Sequence, residues 1–410
     1  MKMLLVLGLT VLALSGDVNS GINRRALSNT QMMQQLSTAT SKFSFDLYNK
    51  FTPTNKNLII SPFSVFTALA MTSLGSKGQT TDEIYKALNI ESLGDDVHHA
   101  FQYYTSLLQG LTNVTLNNAN GMFVKPGTRL SSDFSNNMKT YYDAKAQEFD
   151  FSNPTGPEAS INDWVSKQTA GMIKDFLAPG FIDNYTVMLL INAIYFQGTW
   201  KTLFDAGLTK KREFHIDSTT SVNVDMMSMH AQKFHYKRLD NLKTNVLELP
   251  YVGDRYSMFI LLPDAIGGLA ALEAGLDAQT LDSAVQNFTH KRAFKLTMPR
   301  INIGNKLDLK EAVKALGIQQ LFGGSGDLSG MFYQPGIFVK SIMQQAVIEI
   351  SENGTRASVA TELAFGGFLM SIPIPHFSIN RPFMFVLRDK TVGVNLFYGR
   401  YTDPRVKSNS

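Results

Sequence analysis

Thr186 to Gly198 reads Thr-Val-Met-Leu-Leu-Ile-Asn-Ala-Ile-Tyr-Phe-Gln-Gly, with almost no polar break before the glycine. A strand with one wet face alternates apolar and polar residues, and this run does not. It is therefore a long central strand covered on both faces. A chain that holds such a strand must supply packing layers on either side of a sheet.

The flanking sequence says what those layers are. Ser28 or Thr30 can cap a helix whose apolar positions include Leu36, Phe43, Leu47 and Phe51, and which stops before Pro53. Asn57 to Ile60 is a short buried strand. Ser61-Pro62 then supplies a cap and a first-turn proline for a helix over Pro62 to Leu74. Thr80-x-x-Glu83 reads as a capping box opening the next helix. Further helices are expected over Asp95 to Leu108, Ser132 to Gln147 and Pro157 to Ile173. After the central strand come shorter ones at Val222 to Met227, Phe234 to Leu239, Thr244 to Leu249, Tyr256 to Leu262 and Phe294 to Met298. Leu307 to Leu316 reads as a helix, Ile337 to Glu352 as a strand, and Phe383 to Arg388 and Gly393 to Tyr401 as closing strands. Helices first and strands mostly later argue for an α+β fold with large mixed sheets. The chain has 410 residues and is 44% hydrophobic, enough for a large core without a staple. It contains no cysteine, which removes disulfides, thiol catalysis and thiolate metal sites.

Between two of the strongest strands lies Gly354 to Pro375, an unusually long connection for a compact domain. Its first half is small and β-tolerant. Its second half is an apolar tip, loosened by Gly366 and Gly367 and closed by Ser371-Ile372-Pro373-Ile374-Pro375. The first half is built so that it can become a strand.

Other features bound the function. Lys2, an apolar stretch from Leu4 to Leu14 and Ala13-Leu14-Ser15 make a secretory signal over 1–16, with cleavage between 15 and 20, followed by a polar leader over 17–29. No later segment is apolar enough for a membrane helix, so a secreted, extracellular protein is expected, with no membrane partner. Asn113, Asn184, Asn287 and Asn353 are then glycosylation acceptors. The net charge of +4 is mild. The clusters Lys210-Lys211-Arg212 and His290-Lys291-Arg292 with Lys295 lie between strand-like runs and read as solvated edges or turns. No aromatic-basic motif supports nucleic-acid binding. The histidines are scattered, and His98-His99 reads as a solvated helix face. Gly323, Gly324, Gly326 and Gly330 lack the strand-before-helix context of a nucleotide site. No metalloprotease motif or nucleophile elbow is present, so the motifs give no sign of an enzyme, a metal or a cofactor.

Several segments together resemble the serpin family, over essentially all of Thr30 to Pro404. Phe377-Ser-Ile-Asn-Arg-Pro-Phe-Met-Phe-Val-Leu387 resembles the signature that follows the family's reactive loop, and Ile350-Ser-Glu-Asn-Gly-Thr-Arg-Ala-Ser-Val-Ala-Thr361 its hinge. Ile60-Ser-Pro-Phe-Ser64 and Ile191-Asn-Ala-Ile-Tyr-Phe-Gln-Gly-Thr-Trp200 resemble its shutter and breach segments. Asp327-Leu-Ser-Gly330 and Gly399-Arg-Tyr-Thr-Asp-Pro404 also fit. The tip is weakly similar to serpins of blood-feeding arthropods. The resemblance implies about nine helices around three β-sheets, in a single domain over 30–405 with a reactive-centre loop over 353–375 and a polar tail over 406–410. It also implies a monomer whose partner is a serine protease. The protease cuts the loop, forms an acyl complex, and is dragged across as the loop enters the main sheet. Asp95 to Leu108 is nearly free of Lys and Arg, so the resemblance brings no heparin site.

On insertion, the implied hinge (Glu352, Gly354, Thr355, Ala357, Val359 and Thr361) would turn small or β-branched side chains inward. Arg356, Ser358, Ala360 and Glu362 would face solvent. Arg356 stands where the family usually has an acidic residue, and Val359 is bulkier than the usual alanine and is expected to slow insertion. Counting from the hinge places the scissile bond between Phe368 and Leu369; aligning on Met370-Ser-Ile-Pro373 places it between Met370 and Ser371. These apolar residues suit a deep apolar pocket, hence a chymotrypsin-like target (chymase or cathepsin G type), with an elastase second. A non-inhibitory binding or carrier serpin is the alternative. Ser61, Ser64 and Asn192 would form the shutter, with Gln344 where the family often has histidine. Trp200 would sit at the breach, and Arg300 would pair with Glu352. A glycan on Asn353 would have to clear the sheet as the loop enters.

Overall fold

The computed structural model describes residues 27–52, 56–108, 114–286, 288, 290–354 and 374–406. The expected signal, the leader up to residue 26, the sequons at Asn113 and Asn287, the tail beyond 406, and Thr355, Ala357, Val359, Thr361, Phe368, Leu369, Met370 and Ser371 lie outside them; Ser28 and Asn29, expected in the leader, instead cap and open the first helix.

The first half of the chain is mostly helical: α1 (Asn29–Asn49), β1 (Leu58–Ile60), α2 (Pro62–Ser73), α3 (Gly78–Leu88), α4 (Asp96–Leu108), β2 (Val114–Val124), α5 (Ser132–Tyr142), β3 (Ala146–Glu148) and α6 (Pro157–Gln168). The second half is mostly strand. It runs through β4 (Met188–Gly198), β5 (Asp205–His215), β6 (Ser221–Leu239), β7 (Thr244–Pro250) and β8 (Tyr256–Pro263), then α7 (Leu269–Gly275) and α8 (Ala278–Ala284). It continues with β9 (Lys291–Pro299), β10 (Ile301–Asp308), α9 (Lys310–Lys314), β11 (Val339–Ile350), β12 (His376–Ser378), β13 (Phe383–Asp389) and β14 (Val394–Tyr401).

Local chemistry accounts for the helix starts. Ser28 and Gln31 form a reciprocal capping box on α1. The Ser61 hydroxyl accepts from the Ser64 N–H at the head of α2, and Pro62 occupies the first turn. All twelve residues of α2 are buried, as expected of a helix that is apolar all round.

Five strands form one sheet in the order β10-β11-β4-β2-β3. The central strand β4 is buried on both faces. Met188, Leu190, Ile194 and Phe196 enter the main core with α1 and α2. Leu189, Ile191 and Ala193 enter a smaller core with Ile161 and Val165 of α6 and with Ile173, Phe176 and Leu177. The other strands run β1-β14-β13-β8-β7-β6-β9-β12, with β5 beside β6. The long strand β6 pairs with β9 from Met226 to His235 and with β7 from Tyr236 to Leu239. It thus belongs to two sheets, which makes three in all.

Several boundaries differ from expectation. Thr80-x-x-Glu83 is not a capping box: α3 starts at Gly78, and both side chains cap other segments. The Thr80 hydroxyl accepts from Asp327 N–H at 2.9 Å, and Glu83 accepts from the Gln319 and Gln320 N–H groups at 2.7 and 2.8 Å. Asp143 takes a left-handed conformation that ends α5, so residues 146–148 are free to pair with β2 as a strand. α6 stops at Gln168, before the positive φ of Ala170 and Gly171. The two strands expected over 222–239 are one. Leu307 lies in β10 and not in a helix, because 301–308 pairs along β11. The basic clusters lie within β5 and β9. His98 is buried rather than solvated: its Nδ1 lies 2.7 Å from the Tyr142 hydroxyl, and burial pushes its pKa down to about 4.

Candidate functional site at the seam between two parallel strands

β11 and β4 are parallel neighbours, and Gln344 pairs in register with Asn192. Across β4, Asn192 pairs in register with Asn120 of β2. Three amides thus stand in one row across three strands. Gln344 Nε2 donates to Asn192 Oδ1 at 2.9 Å, which ties the two sides of the seam together. The Ser64 hydroxyl also donates to Asn192 Oδ1, and Asn192 Nδ2 donates to Asn120 Oδ1. Gln344 reaches the helix below as well: its Nε2 donates to Ser61 O at 2.8 Å, and its Oε1 accepts from Ser61 N–H at 3.1 Å. The Ser61 hydroxyl donates to Leu396 O at 2.7 Å. Ser61, Ser64, Asn192 and Gln344 are all buried, so each depends on these partners.

Asn192→Ala is expected to leave the Asn120 carbonyl without its partner and to remove one bond each from the Ser64 hydroxyl and the Gln344 amide, which keep their bonds to Ser61 O. Each buried group left unpaired costs about 1–3 kcal/mol. A clear fall in the urea midpoint is expected; an unchanged midpoint would mean that the row carries no stability.

The upper end of the seam is closed by a second cluster. Trp200 is buried, stacks on Tyr251 with ring centroids 4.3 Å apart, and donates from Nε1 to Ser351 O at 3.0 Å. Its backbone N–H donates to Asn353 O at 3.1 Å. Arg300 grips the Glu352 carboxylate, Nη2 to Oε1 at 2.6 Å and Nε to both oxygens at 3.0 and 3.1 Å. The Thr209 hydroxyl adds a bond of 2.6 Å. Burial pushes the Glu352 pKa up, but the Arg300 and Thr209 hydrogen bonds outweigh it and hold the carboxyl below its ordinary value. Thr209 had no signal in the sequence, because it stands on β5, a strand without apolar alternation.

Between these residues the chain reverses. Ser351 and Gly354 exchange backbone hydrogen bonds of 2.9 and 3.0 Å around Glu352 and Asn353. Gly354 also forms an antiparallel bridge with Thr199, just past the end of β4. It therefore lies between the ends of β11 and β4, with φ of 112°. A Cβ there would meet Gly198 O at 2.2 Å and Trp200 N at 2.7 Å, so only glycine fits. Asn353 is half-buried in the turn, whereas Asn184 is exposed just before β4.

Among the described residues, no group of three or more His, Asp and Glu is placed to hold a metal ion. No helix of the described residues is long and apolar enough to cross a membrane.

A family model described as Serpin (serine protease inhibitor) matches residues 38–404. Among curated relatives, human Serpin B3 is 32% identical over 392 residues, covering 91% of this chain and 100% of that protein. The leukocyte elastase inhibitor of Bos taurus is 34% identical over 381 residues, covering 91% and 100%. Among solved structures, human thyroxine-binding globulin in complex with thyroxine superposes with a TM-score of 0.83 at 28% identity, covering 91% of this chain and 99% of that one.

Proposed function

Because this chain belongs to the serpin family, we propose that it is a secreted inhibitor of chymotrypsin-like serine proteases. It acts by letting its loop be cut and then inserting that loop between β4 and β11. Elastase-like enzymes are the second target class.

The observation that carries this reading is the register at Gly354. It faces Ser351 on one side and Thr199 on the other, an offset equal to that which matches Gln344 with Asn192 and Val347 with Tyr195. An antiparallel strand continued from Gly354 would therefore fit both neighbours without a slip. The present parallel pair would give way to two antiparallel pairs, which are slightly more stable per residue. Thr355, Ala357, Val359 and Thr361 would join the face of Phe196, Ile194 and Asn192, where small or β-branched side chains are accommodated. Arg356 would fall between Gln197 and Glu349, so a positive charge here meets a carboxylate. Glu362, expected from the sequence to face solvent, would instead fall between Met343 and Ile191, both buried in the smaller core. Late insertion therefore requires the cover formed by α6 and residues 173–182 to shift.

Chymotrypsin, cathepsin G, elastase, trypsin and thrombin should be mixed with the secreted protein and run on denaturing gels. A covalent complex is expected with the first two, and a released peptide starting at Leu369 or at Ser371. Plain cleavage by every enzyme would reject the inhibitor reading.

A carrier role is the second reading. It is favoured by a cleft of about 1180 Å³ between α1, α8 and the sheet containing β8 and β13, lined by Met33, Tyr103, Glu248, Phe259, Phe288 and Arg388. Equilibrium dialysis with labelled thyroxine, together with a negative protease screen, would favour it.

A further inference from the structure

The interface between α4 and α5 is built of rings. Phe101 of α4 lies 5.1 Å from the Tyr142 ring of α5, and His99 meets Tyr141 edge-on at 5.1 Å. On its other side α4 packs Phe101 against Phe63 and Phe66 of α2. His98 stands inside this cluster, 4% exposed, with its ring 5.9 Å from that of Tyr142 and 5.8 Å from that of Tyr141. Its Nδ1 and the Tyr142 hydroxyl, 2.7 Å apart, make the one hydrogen bond that joins α4 to α5 among the described residues.

The neutral ring suits this site and the charged ring does not. An imidazolium has two N–H donors and no acceptor. The Tyr142 oxygen can take one of them, and no group among the described residues takes the other. No carboxylate is free to hold the charge. Asp95, at the head of α4, is exposed and already accepts from the Tyr85 hydroxyl of α3 at 2.8 Å. Its attraction is opposed by His99 and outweighed by burial. Asp96 lies with His99 in the groove beside α1. The charged residues of α5, Asp133 and Lys139, are exposed, α2 has none, and Lys42 and Asp46 of α1 pair with each other. Burial pushes the Tyr142 hydroxyl further up, so it supplies no phenolate.

The position of the contact gives it reach. α4 is the last element before β2, and α5 the last before β3. β2 pairs with β3 on one side and along β4 on the other. The contact therefore clasps together the two helices that feed the outer strands of the five-stranded sheet. We propose that His98 is an acid-released clasp: protonating its ring parts α4 from α5 and loosens the β2–β3 edge of the sheet. The ring stays neutral down to about pH 4 in the closed form, but only to its ordinary 6.5 once exposed. The closed form thus keeps its full advantage above pH 6.5 and loses it as pH falls from 6.5 to 4. At pH 5 the opening equilibrium should exceed that at pH 7.5 by about thirtyfold.

Hydrogen exchange of the full chain at the two pH values, corrected for the intrinsic pH dependence of exchange, tests this whether or not the protein inhibits a protease. Amides of α4, α5 and β3 should open about thirtyfold more readily at pH 5. The rise should be absent in His98→Gln, whose amide can still bond Tyr142 but cannot ionise. In the parent chain, the His98 ring followed by NMR should titrate near pH 4. This second measurement needs no variant, so it decides the matter even where His98→Gln does not fold. An equal rise in parent and variant, a rise spread evenly over the chain, or a His98 ring that titrates at its ordinary 6.5 would overturn the proposal.

Discussion

Thr361→Arg should convert the protein from a trap into a plain substrate. Counting from the bridge between Gly354 and Thr199, an inserting strand reaches the amide row with Thr361 between Gln344 and Asn192. Its side chain would face Ser64 and the main core, where the surroundings are fully buried. Threonine offers a hydroxyl to that row and little bulk. Arginine would carry an unpaired charge into it, at a cost of several kcal/mol. About 3 kcal/mol at the insertion step slows it roughly a hundredfold. The acyl-enzyme then has time to hydrolyse before the loop is seated. The number of inhibitor molecules consumed per protease should rise by about ten-fold or more, while cleavage of the loop continues at its usual rate. Thr361→Val should retain trapping. Unchanged stoichiometry in the arginine variant would mean that the loop does not enter this seam in this register.

The second large effect is expected at Gly354. Its φ of 112° lies where side chains are strained, and the atoms a Cβ would meet are backbone atoms of Gly198, Thr199 and Trp200. These cannot rotate aside. Gly354→Ala must therefore lift the turn away from Thr199, and with it the Ser351 carbonyl bonded to Trp200 and the Glu352 carboxylate gripped by Arg300. The strain is about 1–3 kcal/mol, enough to open the first pairing between loop and sheet. Complex formation should fall about ten-fold or more, and proteases should cut near residue 354. A variant that traps as efficiently as the parent would show that the pre-seated turn is irrelevant to insertion.

What was legible in the sequence follows from which signals are local. Residues 186–198 announce a buried strand because their apolar run needs no context, and Ser61-Pro62 announces a helix start for the same reason. β2 was not legible: Asn117, Asn118 and Asn120 disfavour a strand by propensity, and only pairing along β4 imposes one. β5 escaped for a related reason, since its exposed residues carry no alternation; β10 does alternate at Ile301, Ile303 and Leu307, but Gly304 and Asn305 interrupt the signal. Thr80 and Glu83 matched a local motif but cap segments more than two hundred residues away, which no local pattern reveals. At the seam, the residue types at Ser61, Ser64, Asn192, Gln344, Trp200, Arg300 and Glu352 were legible through family resemblance. The contributions of Asn120 and Thr209, and the common offset at Gly354, depend on register and became visible only in three dimensions.

The proposed inhibition depends on a cut loop entering between β4 and β11. The most direct measurement is the denaturing gel of the protein mixed with chymotrypsin, read together with the melting temperature of the chain cleaved at its tip. Insertion would give a covalent complex that survives the gel and a large rise in melting temperature on cleavage, because a sixth strand would join the five-stranded sheet. A cleaved chain that forms no complex and melts where the intact chain does would contradict it.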